Sequence, residues 1–463
     1  MKHIFIGVSS GLAAGLVILL ALFNGPWSLD ASPSPVASET QTSQPEATLE
    51  AQPNPTEEAT EEATEEPEPE VVQCSVSEFE DAEDILDLQA QVINAETGEV
   101  LFDRGSATPA RSASIMKLFT AAAALETLGP NYRVTTRVYA DSQDPSIIYL
   151  VGAGDITLSR TGIGVDSVYD DAPDLVDLAN QISRWNSAQT FSQIVLDSTI
   201  YGSADGEYQS VWDQRGLTNG YMSPVSALQV DGDRDNPQAK DSPRSTDPVT
   251  RAGEWFREAL GESASESMVV KGIAPPDAVE IASVRSARLS TWIEYMLVVS
   301  DNSLAEAISR LVSLDVGLNG SFSSLTQAYQ RALRDTGLDL SGLVVEDGSG
   351  LSRYNQIAPE TVNELLKLID QGYGDFELIR QGMPVAGTPG SLSYRFEDAV
   401  GKVAAKTGWI RTGYSLAGFL EPDSENKLIF TVYNLGDVQI KHREAMDALV
   451  MGFYNCGKAL VNR

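Results

Sequence analysis

Histidine, cysteine and basic residues are scarce in this chain of 463 residues. Only two histidines occur, His3 and His442, so a Ser-His-Asp triad or a Cys-His pair would depend entirely on His442. A zinc site built from several histidine ligands is excluded for the same reason. Hydrolytic chemistry in this chain would therefore need a lysine or a carboxylate as its base.

Lysine and arginine number 32 against 66 acidic residues, which gives a formal net charge of −34. A charge of this sign and size argues against nucleic acid or an anionic membrane surface as a partner. Part of the charge is local, because residues 32–73 hold eleven glutamates and no lysine or arginine. Such a composition, rich in Pro, Glu and Thr, cannot bury a core, so we predict a disordered acidic linker over 32–73.

The first 31 residues have the pattern of a signal peptide or a signal anchor. Residues 4–23 carry no charge and follow a short basic start, and a segment of about 20 apolar residues can just cross a bilayer. An uncleaved membrane anchor and a cleaved secretory signal both remain open. Either one exports the rest of the chain, so we expect the protein to act in the extracytoplasmic cell envelope.

The two cysteines, Cys74 and Cys456, lie near the two ends of the part of the chain that has a globular pattern. In an oxidising compartment this pair could form a disulfide that ties the two ends together. The alternative is two unpaired buried thiols.

From Cys74 onward the pattern is mixed α/β. The segment "LQAQVINAETGEVLFDRG" predicts two strands joined by a turn, and the alanine-rich run at 114–128 predicts a buried helix. Near the C-terminus, "KVAAKTGWI", "YSLAGFLEP" and "KLIFTVYNLG" predict three strands before a final helix. We therefore predict an α/β (α+β) fold in which a central antiparallel sheet is flanked by helices.

The stretch "ARSASIMKLFTAAAALETLG" places Ser114 three residues before Lys117 at the start of the predicted buried helix. Residues three apart share a helix face, and burial would lower the pKa of Lys117 toward that of a usable base. The alternative is an ordinary capping serine followed by a lysine that extends to solvent. Taken alone, this segment favours the alternative.

Two further motifs change that balance. "VSDNSLAEA" places Ser300 and Asn302 at a break between two predicted helices, where side chains can face a cleft. "AAKTGWI" places Lys406, Thr407 and Gly408 on a predicted strand, and the glycine would let a substrate backbone lie close to that strand. Each motif alone could be a helix cap or a polar strand position. Together and in this order they are the set Ser-x-x-Lys, Ser-Asp-Asn and Lys-Thr-Gly of penicillin-recognising enzymes.

From about residue 86 to the C-terminus the sequence resembles a low-molecular-mass class C penicillin-binding protein, a family of serine D-alanyl-D-alanine carboxypeptidases/endopeptidases. Five other segments share this resemblance: "LVGAGDITL" (150–158), "MSPVSALQVD" (222–231), "EDGSGLSR" (346–353), "PVAGTPGSL" (384–392) and "SLAGFL" (415–420).

The family places small inserted domains between its first two motifs. Ser114 and Ser300 are 186 residues apart in sequence, which leaves room for such an insertion. We predict a penicillin-binding peptidase domain made of residues 74–139 and 285–463, with one or two inserted domains at 140–284.

The resemblance implies acyl transfer on peptidoglycan stem peptides through a covalent serine intermediate, without metal or cofactor, and sensitivity to β-lactams. Ser114 would attack the carbonyl of the penultimate D-alanine, and Lys117 would be the general base. Ser300 would relay a proton to the departing D-alanine, Asn302 would bind the substrate amide, and Lys406 would supply positive potential.

The resemblance also implies substrate-binding roles for the residues around Lys406. Thr407 would help to hold the terminal carboxylate, and the backbone N–H groups of Ser114 and Trp409 would form the oxyanion hole. Trp409 departs from the family pattern, because the residue after Lys-Thr-Gly is commonly small or hydroxylated. A side-chain contact to the substrate carboxylate would then be lost.

Asp155 and Arg353 fall where family members contact the free end of the peptide side chain. An acidic Asp155 would suit an amine on the substrate. The alternative for these two residues is turn structure and a surface ion pair.

Two other functions share parts of this pattern. A serine β-lactamase has the same three motifs, but the Glu-x-x-x-Asn of class A enzymes is missing between Ser300 and Lys406, and the long insertion also argues against it. A peptidoglycan-binding protein with impaired chemistry is the other alternative, for which Trp409 leaves some room.

Overall fold

A computed structural model of the protein describes residues 73–202, 207–423 and 427–461. The predicted signal segment and nearly all of the predicted acidic linker fall within residues 1–72 and so lie outside the described residues. In the part of the chain that is described, no helix is long and apolar enough to span a membrane.

Among the described residues, ten strands form two sheets of five strands each. In chain order the strands are β1 (Asp87–Asn94), β2 (Val100–Arg104), β3 (Thr135–Ala140), β4 (Ile147–Val151), β5 (Gln193–Asp197), β6 (Met268–Lys271), β7 (Val279–Arg285), β8 (Val403–Ile410), β9 (Gly413–Leu420) and β10 (Leu428–Leu435). The first sheet has the order β2-β1-β10-β9-β8, and all of its neighbouring strands are antiparallel. It is the central antiparallel sheet that the sequence predicts.

The first sheet separates two hydrophobic cores. Its central strand β10 reads "LIFTVYNL" and is buried at every position, as expected for a strand that is covered on both faces. Because side chains alternate along a strand, Ile429 and Tyr433 pack into one core, while Leu428, Phe430 and Val432 pack into the other.

The described residues also form eleven α-helices. In chain order they are α1 (Ser77–Glu80), α2 (Met116–Thr127), α3 (Leu175–Trp185), α4 (Arg215–Asn219), α5 (Pro248–Leu260), α6 (Leu289–Val298), α7 (Asn302–Asp315), α8 (Leu325–Ala332), α9 (Pro359–Asp370), α10 (Glu377–Gln381) and α11 (Ile440–Cys456). Helix α2 is buried from Met116 to Leu125, and its alanines at 121–124 let α7 and α8 pack closely against it.

The second sheet is built by the segment between the first two motifs. Its order is β6-β5-β4-β3-β7, with β3 antiparallel to β4 and β7, and with β5 parallel to β4 and β6. Helices α3 and α5 share a hydrophobic core with it.

The predicted boundary at residue 140 falls on the last residue of β3, so the sheet starts earlier than expected. Strand β3 has only six residues, and its side chains alternate between more and less buried positions. A segment this short, directly after a turn, is hard to recognise as a strand from its sequence.

The two ends of the described chain meet at a disulfide. Cys74 is bonded to Cys456, with the two Cα atoms 5.4 Å apart. Backbone hydrogen bonds from Cys74 N–H to the Ala459 carbonyl (2.8 Å) and from Val461 N–H to the Cys74 carbonyl (3.0 Å) hold the same junction. The N-terminal segment is thereby attached to the end of α11.

Replacement of both cysteines by serine is expected to lower the free energy of unfolding by about 2–5 kcal/mol, because the unfolded chain gains conformational freedom. Thermal unfolding of wild type and double variant checks this. Reductant should lower the Tm of the wild type to that of the variant and leave the variant unchanged. Equal Tm values of the two proteins without reductant would contradict the expectation.

Candidate active site

Ser114 lies in a single 3₁₀ turn, Ala113–Ile115, that leads directly into α2. Lys117 is three residues further on, and its Nζ lies 3.0 Å from Ser114 Oγ. The start of α2 has no side-chain capping hydrogen bond, and Lys117 is buried. The geometry is therefore that of a serine paired with a lysine, not that of a capping serine followed by a solvated lysine.

Two further oxygen atoms surround the Lys117 amine. Asn302 Oδ1 lies 2.8 Å and the Ser349 carbonyl oxygen 2.7 Å from Nζ. A neutral lysine has two N–H donors and one lone pair. With both donors directed at Asn302 and Ser349, the lone pair is left for the hydroxyl proton of Ser114.

The surroundings of Lys117 also favour its neutral form. Burial lowers the pKa of Lys117 to about 8, although the negative charges of Glu306, Asp347 and Asp301 act in the opposite direction. A substantial fraction of the side chain is thus deprotonated in mildly alkaline solution. Lys117 can then act as the base that the histidine-poor chain would otherwise lack.

The second motif lies at the break between α6 and α7. Ser300 has a positive φ of 60°, which is unusual for a residue with a side chain, and its Oγ lies 3.0 Å from Lys406 Nζ. Asp301 caps α7 by accepting a hydrogen bond from Leu304 N–H at 2.9 Å. The capping role therefore belongs to Asp301 and leaves Ser300 for Lys406.

The third motif lies on β8, the edge strand of the first sheet. Lys406 is buried, and burial together with the charges of Lys117 and Lys240 holds its pKa well below the usual value. Thr407 Oγ1 donates a hydrogen bond to Ser391 Oγ at 2.8 Å. An edge strand has backbone groups that an extended peptide can pair with.

Gly408 lets β8 approach the 3₁₀ turn that holds Ser114. A Cβ atom at this position would lie 2.1 Å from Ser415 Oγ and 2.9 Å from the Ser114 backbone nitrogen. Any other residue would push the strand away from the Ser114 N–H group, which is one of the two expected oxyanion donors. The next residue, Trp409, has 59% of its surface exposed and so leaves its indole accessible beside the motif.

Sequence reasoning missed the turn that supplies the Ser349 carbonyl. Glu306 is fully buried, and its two carboxylate oxygens accept hydrogen bonds from Gly348 N–H (3.0 Å) and Ser349 N–H (2.7 Å). Burial raises the pKa of Glu306. The available signal was its spacing, since Glu306 lies four residues after Asn302 and thus on the same face of α7.

The structure brings together Ser114, Lys117, Ser300, Asn302 and Lys406. Two other predicted residues, Asp155 and Arg353, make different contacts. Asp155 is buried and accepts hydrogen bonds from Thr157 N–H (2.7 Å) and Thr157 Oγ1 (2.6 Å), and burial raises its pKa to about 6. Arg353 is exposed and donates to Tyr354 Oη at 3.0 Å. Within residues 73–202, 207–423 and 427–461, neither side chain bonds to a residue of the three motifs.

His442 has a structural role at the start of α11. Its Nδ1 accepts a hydrogen bond from Gln439 N–H at 2.9 Å, and the Gln439 side chain bonds in return to the backbone of His442. This reciprocal pair is a capping box that satisfies backbone donors at the helix start. The one histidine beyond residue 3 is therefore committed to α11.

Comparison with solved structures agrees with this fold. The chain superimposes on a crystal structure of penicillin-binding protein 4 from Haemophilus influenzae with a TM-score of 0.70. The match covers 82% of this chain and 99% of that one, at 20% sequence identity. The chain therefore has the same fold as that structure, which confirms the predicted fold class.

Sequence comparison identifies the family. The model of the D-Ala-D-Ala carboxypeptidase 3 (S13) family matches residues 77–243 and 233–453. A carboxypeptidase of Mycobacterium tuberculosis is 34% identical over 387 residues, which cover 81% of each chain. Carboxypeptidase DacB of Mycolicibacterium smegmatis is 32% identical over 382 residues, which cover 80% of this chain and 81% of the relative. The chain belongs to the S13 family of D-Ala-D-Ala carboxypeptidases, and the predicted resemblance and enzyme class are confirmed.

Replacement of Lys117 by arginine is expected to abolish acylation, because a guanidinium keeps its charge and cannot accept the Ser114 proton. We expect the rate of labelling by a fluorescent penicillin to fall by about 10²–10⁴-fold. A melting curve close to that of the wild type serves as the folding control. Labelling within tenfold of the wild-type rate would rule out Lys117 as the base.

Replacement of Glu306 by glutamine should shift the pH dependence of acylation. Where Glu306 is ionised, its charge raises the pKa of Lys117, so the uncharged glutamine lowers that pKa and makes Lys117 neutral at lower pH. In a plot of labelling rate against pH, the rising limb then moves to lower pH, even if the maximal rate also changes. Glu346→Gln, a neighbouring exposed position, is the matched control and should leave the limb in place. An unshifted limb in Glu306→Gln would contradict the coupling.

Proposed function

We propose that the protein is a serine D-Ala-D-Ala carboxypeptidase/endopeptidase that acts on peptidoglycan stem peptides through an acyl-enzyme at Ser114. The observation on which this depends is the 3.0 Å contact between Lys117 Nζ and Ser114 Oγ, with both other Lys117 acceptors in place. The name of another relative, a D-alanyl-D-alanine carboxypeptidase of Actinomadura sp. that is 30% identical over 420 residues, supports this substrate class.

In acylation, Ser114 Oγ forms a bond to the carbonyl carbon of the penultimate D-alanine, and the peptide C–N bond breaks. The hydroxyl proton passes to Lys117. Lys117 passes this proton through Ser300 to the departing amino group and is neutral again once the acyl-enzyme has formed. The amine of Lys406, which is hydrogen-bonded to Ser300 Oγ, orients the Ser300 hydroxyl for this transfer. Water then attacks the ester and releases Ser114.

Substrate binding would use β8. An extended peptide can lie along this edge strand beside Gly408, with its carboxylate near Lys406 and Thr407. The exposed indole of Trp409 would border the bound peptide. The same strand and Ser114 would receive a β-lactam, which resembles the peptide in its reactive carbonyl.

The place of action would be the cell envelope. The uncharged segment 4–23 supports export, with either anchoring or cleavage, and a family that acts on the cell wall fits that location. The Cys74–Cys456 disulfide fits an oxidising compartment.

The protein is expected to release D-alanine from a diacetyl-L-Lys-D-Ala-D-Ala peptide. Ser114→Ala should abolish both this release and covalent labelling by penicillin, because the nucleophile is gone. Ser112→Ala is the matched control, since Ser112 lies in the same segment and its hydroxyl donates to the adjacent Ala113 carbonyl at 3.3 Å. Fast turnover of penicillin with no D-alanine release would identify a β-lactamase. Labelling without either turnover would identify an impaired binding protein.

A further inference from the structure

A strained turn in the insertion lies directly beside the second catalytic motif. Asp231, Gly232 and Asp233 have positive φ values of 50°, 56° and 62°, and all three are buried. Left-handed backbone is unfavourable for residues with a side chain, so Asp231 and Asp233 are strained, whereas Gly232 between them tolerates this conformation. Such a conformation persists only where the surrounding structure enforces it.

Five residues enforce this turn. Arg160 Nη1 and Ser167 Oγ donate to the carboxylate of Asp231 at 3.2 and 3.0 Å. Arg251 and Ser245 bind the carboxylate of Asp233, with Ser245 N–H at 2.6 Å. Arg244 donates to the carbonyl of Gly232. Both buried carboxylates are paired, so the turn is rigid.

The next residue, Arg234, is directed by the turn into the protein interior. Its side chain is buried, and Nη2 donates to Asp301 Oδ2 at 2.7 Å. Nη1 donates to Tyr169 Oη at 2.7 Å, and Nε is 3.2 Å from the carbonyls of Ala239 and Lys240. This arginine of the insertion thus makes a buried ion pair with the middle residue of the Ser-Asp-Asn motif.

Asp301 links the insertion to Ser300 and Asn302, its two neighbours in the second motif. Oδ1 caps α7 at Leu304 N–H, while Oδ2 binds Arg234 and accepts a hydrogen bond from Tyr169 Oη at 3.3 Å. Burial would raise the pKa of Asp301, but the positive charges of Arg234 and Arg244 lower it overall, so the carboxylate stays ionised. Ser300, immediately before it, keeps its unfavourable positive φ.

We infer that Arg234 is a positioning residue, which holds Asp301 and through it sets Ser300 and Asn302 in the geometry that acylation requires. This inference rests on the proposed function. Loss of one partner of a buried ion pair leaves an uncompensated charge, which the structure avoids by moving the group toward water. Movement of Asp301 would release the strained Ser300 from Lys406 and withdraw Asn302 from Lys117. The insertion would then be part of the catalytic apparatus.

The test compares Arg234→Gln with Arg257→Gln, an arginine of the same insertion that pairs with Glu254 and donates to the Ser267 carbonyl, and that has no part in the contacts of the turn described above. Stopped-flow labelling with a fluorescent penicillin separates non-covalent binding from the acylation rate constant, at a temperature where both variants are folded. Arg234→Gln should lower the acylation rate constant by about 10–100-fold with little change in binding. Arg257→Gln should leave that constant within about threefold. Arg234→Lys, which restores a cation, should recover part of the loss.

A double-mutant cycle with Asp301→Asn tests the route of the effect. If Arg234 acts through Asp301, the double variant should acylate no more slowly than the slower single variant. Fully additive losses, or an Arg234→Gln acylation rate constant equal to that of the wild type, would overturn the inference. If Arg234→Gln does not fold, Tyr169→Phe removes the hydroxyl that bonds both Arg234 and Asp301 and must slow acylation for the inference to stand. Failure of the wild type itself to be labelled would instead refute the proposed function.

Discussion

The site depends on a buried lysine, Lys117, which among the described residues contacts no carboxylate directly. Lys117 is fully buried, and its three hydrogen-bond partners come from the turn before α2, the start of α7 and the segment after α8. An ammonium group in this position is costly, so the environment shifts the side chain toward its neutral form. The same three oxygens orient the neutral amine toward Ser114. Burial therefore produces the base, and the geometry directs it.

Parts of the chain that are far apart in sequence have to meet for this environment to exist. The alanine-rich α2 allows close packing of α7, which brings Asn302 to Lys117. β8, near the end of the chain, reaches Ser114 because Gly408 has no side chain to hold the strand away. The insertion contributes through Arg234, whose contact with Asp301 links the second sheet to the catalytic residues. Helices α2 and α7, strand β8 and the insertion thus each contribute to the same small polar site.

Much of this site is readable from the sequence, because side-chain chemistry at fixed spacing leaves a pattern. Ser114 and Lys117 are one helical turn apart, and Lys406 to Gly408 are consecutive on a strand. The Ser349 carbonyl leaves no such pattern, since every residue has a carbonyl and only the fold brings this one to Lys117. The contact of Arg234 likewise could not be predicted from the sequence, because its partner Asp301 is 67 residues away. The family resemblance suggested Asp155 as a substrate ligand, whereas the structure buries its carboxylate in a local turn. The early start of β3 went unnoticed, since six alternating residues are a weak signal.

In the free enzyme, Lys117 is expected to lie between its charged and neutral forms near neutral pH. Nuclear magnetic resonance of the protein labelled with ¹³C and ¹⁵N in its lysines measures this directly, with Lys117→Arg used to assign the resonance. The Lys117 side chain is expected to titrate with a pKa of about 8, below the value of about 10.4 for an unperturbed lysine. A Lys117 that remains charged up to about pH 10 would contradict its role as the base.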